Sequence, residues 1–333
     1  MRGKPSSEQV YVACVPHTPL VRLQHDQRAA SRAFWEAYDA RIAEFDTFDP
    51  DLVIIFGADH YSNLHLNLMP SFLIGHGAQA IDDCGGHPGK LDVPTALSVG
   101  LSNYLIAKNF DIATSYAMKL DHGFSSALSY FLHDDLARRP VIPIFINAVA
   151  EPRPSLRRCR ELGEAIGAWA AHLQKRVAFI GSGGLSHVTG RMFPQFHTAP
   201  TDAVRHYIVH GGSDEGIPNE KWHGNISAMC RATSDRMVEG DPESTVRPAW
   251  DLRFLDAFGT ADMSCLDDWQ DADIVREGGE GASEIRMWIA AVAAGQAAGG
   301  GVLSVDYYSG DTSLGVGAAV AHIAPGRVVC GLH

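Results

Sequence analysis

The sequence lacks several features that mark particular classes of protein. It has no run approaching the roughly 20 consecutive apolar residues that span a bilayer, and Met1 to Gln9 is polar, unlike the core of a signal peptide. Lys and Arg number 27 against 39 Asp and Glu, which argues against a nucleic-acid-binding surface. The composition therefore favours a cytoplasmic protein that binds neither a membrane nor nucleic acid.

Paired cysteines and linkers are also missing. The six cysteines are far apart, and in a chain of 333 residues they are expected to be reduced thiols, several of them buried. We find no internal repeat and no convincing linker. The chain is long enough to bury a large core, so we expect a polar tail over residues 1–9 and a single α/β catalytic domain over residues 10–333.

Familiar catalytic motifs are absent as well. Gly181 to Ser186 follows an apolar run, but Ser186 stands where a dinucleotide-binding loop has its third glycine. The sequence contains no GxxxxGK[ST] phosphate loop, no GxSxG serine elbow and no HExxH zinc motif. Any site must therefore be assembled by the fold from separate segments.

One apolar run organises the rest of the chain. Leu52 to Phe56 consists of five apolar residues, which is typical of a strand buried on both faces, and Gly57 ends it. Asp59 and His60 follow at once. Ligands of open α/β folds bind beyond the carboxyl ends of strands, so this position is suited to chemistry.

The same pattern recurs at three other histidines. His17 follows the apolar run Tyr11–Pro16, His122 follows the run Ile112–Met118 a few residues later, and His187 follows Val177–Ile180 after a glycine-rich turn. A single histidine at a strand end is more often structural than catalytic. Four such histidines favour a shared site at one edge of a sheet.

Helical segments separate the predicted strands. Asp26 to Glu44 and Leu156 to Leu173 show helical spacing, whereas Leu66 to Ile74 is extended around a proline and Asp82 to Lys90 is expected to be a surface loop. This alternation predicts an α/β fold: a mixed, mostly wound sheet with helices on both faces and an active site at the strand carboxyl ends.

The second half of the sequence is less regular. Glu239 to Pro248 is polar and turn-rich, Asp267 to Gly281 contains many acidic residues and glycines, and Val302 to Tyr308 could form a late strand. Ser283 is expected to cap a helix through about Ala294. Glu284 falls in its first turn, where a glutamate usually does no more than interact favourably with the helix dipole.

Several motifs in this order resemble those of the type II extradiol ring-cleavage dioxygenases. The resemblance covers roughly residues 10 to 295, is strong up to His187 and is thin between Val188 and Gly281. The matching segments are Val15–Leu20, Gly57–Tyr61, Leu120–Phe124, Val141–Asn147, Gly181–His187 and Ser283–Trp288.

This resemblance implies a function and a set of roles. His17, His60 and Glu284 match the family's ligands to a non-haem Fe(II), a two-histidine, one-carboxylate set that leaves positions open for substrate and O2. His187 matches the acid/base residue, and His122 the second active-site histidine, a proton donor. The implied reaction is extradiol cleavage of a 3-substituted catechol, such as a phenylpropanoid or a lignin-derived biaryl, to a semialdehyde or keto-acid. Family members are usually homo-oligomers.

Other interpretations stay open at this point. The same His, His and Glu set could hold zinc in a hydrolase or lyase, and a non-catalytic binding relative would need no proton-transfer histidines. Asp121 could orient one of the histidine rings, although an acidic residue beside a turn glycine is as often structural.

Overall fold

A computed structural model of the chain describes residues 7–23, 31–214, 216–238, 246–260, 262–310 and 314–326. Most of the predicted polar tail lies outside these residues, and Ser7–Gln9 forms a short 3-10 turn. Within the described residues the strands are β1 (Val10–Val15), β2 (Leu52–Gly57), β3 (Phe72–Gly75), β4 (Ala78–Ala80), β5 (Gly89–Lys90), β6 (Ala113–Ser115), β7 (Met118–Leu120), β8 (Val141–Ile146), β9 (Val177–Ser182), β10 (Ser304–Ser309) and β11 (Ala318–Ile323). The helices are α1 (Leu20–Leu23), α2 (Arg32–Phe48), α3 (Thr95–Ala107), α4 (His122–Phe131), α5 (Leu156–Ala170), α6 (Asp202–His210), α7 (Asn219–Val238), α8 (Pro248–Phe258), α9 (Asp271–Gly278) and α10 (Ile285–Ala297).

The main sheet has the order β10-β11-β1-β9-β2-β8-β3-β6. Its central strands β1, β9, β2 and β8 are parallel to one another. At one edge β11 pairs antiparallel with β1, and at the other β3 pairs antiparallel with β8. A smaller sheet has the order β5-β4-β7. The mixed sheet predicted from the sequence is confirmed.

The central strands are apolar on both faces because helices cover both. Successive side chains of a strand point to opposite faces, so Ile54 and Phe56 of β2 pack in the core cluster with α5 and α10. Val53 and Ile55 pack with α2 and α4 on the other side. Helices on both faces, the second part of the fold prediction, are therefore confirmed as well.

Helix α10 is buried along nearly its whole length because it packs against α5 as well as the sheet. Its start differs from the prediction. A 3-10 turn, Glu280–Glu284, precedes the helix, and the buried hydroxyl of Ser283 has no hydrogen-bond partner within the described residues. The predicted Ser283 cap is wrong, because this turn delays the start of the helix to Ile285.

Two predicted strands in the first half are shorter than expected. In the stretch that begins at Leu66 only Phe72–Gly75 lies in a strand, because Leu66 and Asn67 donate their backbone N–H groups to the end of α6 instead. The predicted run Ile112–Met118 is divided by a turn between β6 and β7, which belong to different sheets.

The second half contains more regular structure than its polarity indicated. The stretch from Asp267, rich in acidic residues and glycines, includes α9, whose first turn has Asp271 and Asp273 near the helix's positive end and whose Ile274 is buried. Most of Glu239–Pro248 lies outside the described residues, and Pro248 begins α8. The predicted late strand is confirmed as β10, whereas β11 was not predicted, because its alanines give only a weak strand pattern.

None of the helices in the described part of the chain has the length and apolar character needed to cross a membrane.

Candidate active site

The strand order brings the predicted site residues together. β1, β9 and β2 are adjacent and parallel, so their carboxyl ends meet at one edge of the sheet. His17, His187 and His60 follow these three ends. His122 is the first residue of α4, and Glu284 immediately precedes α10.

All five side chains line one pocket, whose space is about 550 Å³ when the part open to solvent is included. Each of the five residues is largely buried, between 2% and 8% exposed. The full lining, within the described residues, is His17, Thr18, Pro19, Leu20, His60, His122, Gly184, His187, Val188, Thr189, Met192, Phe193, Cys230, Glu284, Gly315 and Val316.

The carboxylate of Glu284 is the common neighbour of three rings. Its Oε1 lies 3.2 Å from Nε2 of His17, 3.5 Å from Nε2 of His60 and 3.8 Å from Nε2 of His187. The His122 ring stacks on that of His60, with centroids 4.3 Å apart. The pocket is therefore a cluster of imidazole nitrogens around one carboxylate.

The hydrogen bonds of His17 determine which of its nitrogens is protonated. Its Nδ1 lies 3.2 Å from the hydroxyl oxygen of Ser182, and that hydroxyl donates to the carbonyl of Gly123 at 2.7 Å. A hydroxyl has a single proton, so Ser182 must accept a bond from His17. Nδ1 therefore carries the proton, and Nε2 presents its lone pair to the pocket.

The other three rings follow the same rule. Nδ1 of His60 donates to Asp121 at 2.9 Å, Nδ1 of His122 donates to Asp83 at 2.5 Å, and Nδ1 of His187 donates to the carbonyl of Leu185 at 2.8 Å. Each partner is an acceptor, so each ring is oriented through its Nδ1 proton, and Nε2 is the nitrogen that faces the pocket. Four Nε2 atoms are thus prepared to bind a metal or to exchange protons.

Asp121 fulfils both interpretations left open by the sequence. Its Oδ1 caps α4 by accepting from the backbone N–H of Gly123 at 2.9 Å. Its Oδ2 accepts from the backbone N–H of His60 at 2.7 Å as well as from the ring. One carboxylate therefore starts a helix and orients a pocket histidine.

The electrostatics favour a negative Glu284 beside basic rings. Burial by itself would raise the pKa of Glu284, but His17 and His187 hold it well below its usual range. Burial lowers the pKa of His17. It also opposes a charged His60, yet the carboxylates of Asp121 and Glu284 outweigh it and raise that pKa to about 10. The pocket therefore contains a fixed negative charge that a cation would neutralise.

Glu284 reaches the pocket because the β9 loop lets α10 approach closely. A Cβ on Gly183 would lie 2.7 Å from the carbonyl oxygen of Glu284, so a larger residue there would push the two segments apart. The backbone N–H of Gly184 donates to Glu284 Oε2 at 2.6 Å. Glu284 is therefore directed into the pocket, and it makes no capping hydrogen bond to its own helix.

These residues fit a metal ion. Nε2 of His17 is buried with no hydrogen-bond partner in the described chain, because its 3.2 Å approach to Glu284 lacks hydrogen-bond geometry. Ligands bound at about 2.1 Å and at right angles are about 3 Å apart, close to the spacings around Glu284 Oε1. The ligand nitrogens of His17, His60 and His122 also lie within 4.8 Å of one another. The donor set suits iron or zinc.

Sequence reasoning did not single out the individual residues that line the opposite side of the pocket. Leu20, Met192, Phe193 and Cys230 line it, three of them from or near the stretch with weak resemblance. Their apolar character and irregular spacing gave no signal that they face a ligand. None of the described lining residues is Lys or Arg.

A family model described as the catalytic LigB subunit of aromatic ring-opening dioxygenase matches residues 11–321 of the chain. The chain belongs to this family. The resemblance inferred from the motifs is confirmed, and so is the prediction of an enzyme, a ring-opening dioxygenase, over a non-catalytic relative.

Curated relatives of this LigB-family chain match it over nearly its whole length. Each of three bears the name 2,3-dihydroxyphenylpropionate/2,3-dihydroxicinnamic acid 1,2-dioxygenase. The protein from Mycobacterium sp. (strain MCS) is 39% identical, covering 94% of this chain and 97% of its own. That from Mycolicibacterium paratuberculosis is 37% identical (94% and 98%), and that from Burkholderia vietnamiensis 36% (90% and 92%).

Proposed function

We propose that this protein cleaves a 3-substituted catechol of the dihydroxyphenylpropionate type in the extradiol position, using non-haem Fe(II) and O2. The observation that supports this most is the convergence of four histidine Nε2 atoms and one carboxylate in a single pocket. The names of the relatives supply the substrate type. The proposal includes a homo-oligomer acting in the cytoplasm.

His17, His60 and Glu284 would hold the iron. They provide two imidazole nitrogens and one carboxylate oxygen. Glu284 Oε1 lies 3.2 Å from Nε2 of His17 and 3.5 Å from Nε2 of His60. When bound, Fe(II) supplies a centre through which an electron-rich catechol can reduce O2. Metal binding would require Nε2 of His60 to give up any proton it holds, which Asp121 and the metal charge would compensate.

His187 is suited to remove a catechol proton. Because its Nδ1 proton is engaged by the Leu185 carbonyl, Nε2 is left as the basic atom facing the pocket. The ring of His122 stacks on that of His60 and is held through Nδ1 by Asp83. Its Nε2 would return a proton as the catechol ring opens. The product retains both atoms of O2, so the two histidines only relocate protons.

The apolar side of the pocket would receive the ring substituent. Leu20, Met192 and Phe193 offer contact surface for a propionate or cinnamate chain. Since the described lining contains no Lys or Arg, a substrate carboxylate would point to the pocket mouth and water. A lignin-derived biaryl catechol is the second substrate class to test, because its added ring would contact the same apolar surface.

The test is oxygen consumption with a panel of 3-substituted catechols. Protein prepared without air and loaded with Fe(II) should consume O2 and form a yellow ring-opened product, fastest with the phenylpropionate or cinnamate. Air should inactivate it by oxidising the iron, and ascorbate with ferrous salt should restore activity. Recovery of catalytic activity with zinc alone, without O2 uptake, would instead support a zinc hydrolase.

A further inference from the structure

Asp83 is a buried carboxylate on the loop between β4 and β5, directly beneath the start of α4. Its Oδ2 accepts two bonds from His122, one from the backbone N–H at 3.0 Å and one from Nδ1 at 2.5 Å. Its side chain is fully buried. The prediction of a surface loop over Asp82–Lys90 is therefore wrong at Asp83 and at the buried Cys84, because contact with α4 draws this part of the loop inward.

The loop is shaped to hold this carboxylate in place. A Cβ on Gly86 would lie 1.9 Å from Asp83 Oδ1, so only glycine fits beside it. The next residue, His87, donates its backbone N–H to the hydroxyl of Ser125 on α4 at 3.1 Å. The loop and the helix are thus joined at a second point beside the Asp83–His122 contact.

Burying the carboxylate of Asp83 at this position destabilises the folded protein. Its second oxygen, Oδ1, is buried and has no hydrogen-bond partner among the described residues. Leaving a buried acceptor without a hydrogen bond destabilises the folded protein, and more so for a charged group. A requirement of folding alone would be met by a smaller polar cap, so the contact with the ring gives a reason for the carboxylate.

We propose that Asp83 is a positioning residue that holds the His122 ring with its proton on Nδ1 and its Nε2 directed into the pocket. The assignment rests on the proposed function of His122 as proton donor. Asp83 itself does not line the pocket and acts only through the ring. It stands to His122 as Asp121 stands to His60.

Two substitutions that keep the number and branching of the side-chain heavy atoms test the proposal. Asp83→Leu removes the acceptor without opening a cavity, whereas Asp83→Asn retains an oxygen that can accept both bonds. The Leu variant should lose about 10–100-fold in kcat, the usual effect of removing such a partner. KM and iron content should stay at parental values, and Asn should restore kcat towards the parent. Asp82→Leu, a change at the exposed neighbour, is the control.

Three kinetic results would overturn the proposal. These are parental kcat in the Leu variant, equal losses in the Leu and Asn variants, and a rise in KM at unchanged kcat. The last would make Asp83 a residue that shapes the pocket.

A second measurement needs neither turnover nor a variant at Asp83. Imidazole ¹⁵N spectra of the metal-free parent should show a protonated Nδ1 for His122, identified by the signal lost in His122→Gln. An unprotonated Nδ1 would overturn the proposal. If the parent opens no catechol, the proposed function fails, and these spectra still test separately whether His122 carries the Nδ1 proton that the contact with Asp83 requires.

Discussion

The two sides of the pocket are built in different ways. The histidine wall (His17, His60, His122, His187 and Glu284) comes from strand ends and helix starts, and each ring has a fixed acceptor at Nδ1. The cap wall (Leu20, Met192, Phe193 and Cys230) belongs to a separate apolar cluster that includes α6 and α7. Its members contact one another mainly through apolar surface.

From this difference we expect the histidine wall to carry out the reaction and the cap wall to determine which substrate binds. Proton transfer and metal binding need atoms held to a few tenths of an ångström, which hydrogen-bonded side chains on a sheet provide. Binding an apolar substituent needs only surface of about the right shape, which loops and peripheral helices provide. Substitutions in the histidine wall should change metal content or kcat, and those in the cap wall should change KM and substrate preference.

The largest effect is expected at Glu284. Glu284→Ala removes the only carboxylate of the histidine wall, so the protein should retain its fold but fail to retain iron, and ring cleavage should be abolished. His17→Ala and His60→Ala should behave alike. The measurement is iron content per chain with turnover, beside a circular dichroism spectrum.

The removal of a carboxylate from the protein surface serves as the control. Glu277→Ala removes a carboxylate from the surface of α9, where its ion pairs with Arg253 and Arg276 are exposed, so iron and activity should be unchanged. Full iron and activity in Glu284→Ala would instead mean that Glu284 only interacts with its helix, and the ligand set would be wrong.

The next effect concerns His122 and His187, the two histidines proposed to transfer protons. His122→Ala and His187→Ala should retain iron and bind catechol, yet lose about 10²–10⁴-fold in ring cleavage, the contribution of a well-placed acid or base. His187→Ala should also change the pH dependence of catechol deprotonation, whereas His122→Ala should fail later and release hydrogen peroxide. Single-turnover spectra and iron analysis separate the outcomes. Loss of iron from either variant would make that histidine a ligand.

The histidine wall could be predicted from the sequence, and most of the rest could not. Each of its histidines follows an apolar run, and the carboxyl ends of parallel strands lie at one edge of a sheet, so a shared site for His17, His60 and His187 could be expected. Glu284 needed the family resemblance, because a first-turn glutamate has a simpler explanation. Asp83 gave no signal, since its loop is polar and rich in glycine. Ser182 ends a strand, and only the fold shows its contact with His17.

The smallest effect is expected in the cap wall, at Phe193. This ring is 6% exposed and its centroid lies 4.8 Å from that of His60, so it borders the pocket beside a predicted ligand. Phe193→Ala should leave iron content and kcat near the parent while raising KM for a phenylpropionate-type catechol about 10-fold. The basis is that apolar contacts to a substrate are worth about 1–3 kcal/mol. Unsubstituted catechol, which has no side chain to contact Phe193, should be affected less.

Phe196→Ala, on the same loop but 43% exposed, is the control and should behave as the parent. Iron loss in Phe193→Ala would show that the cap wall supports the metal site, and the division between the two walls would then fail.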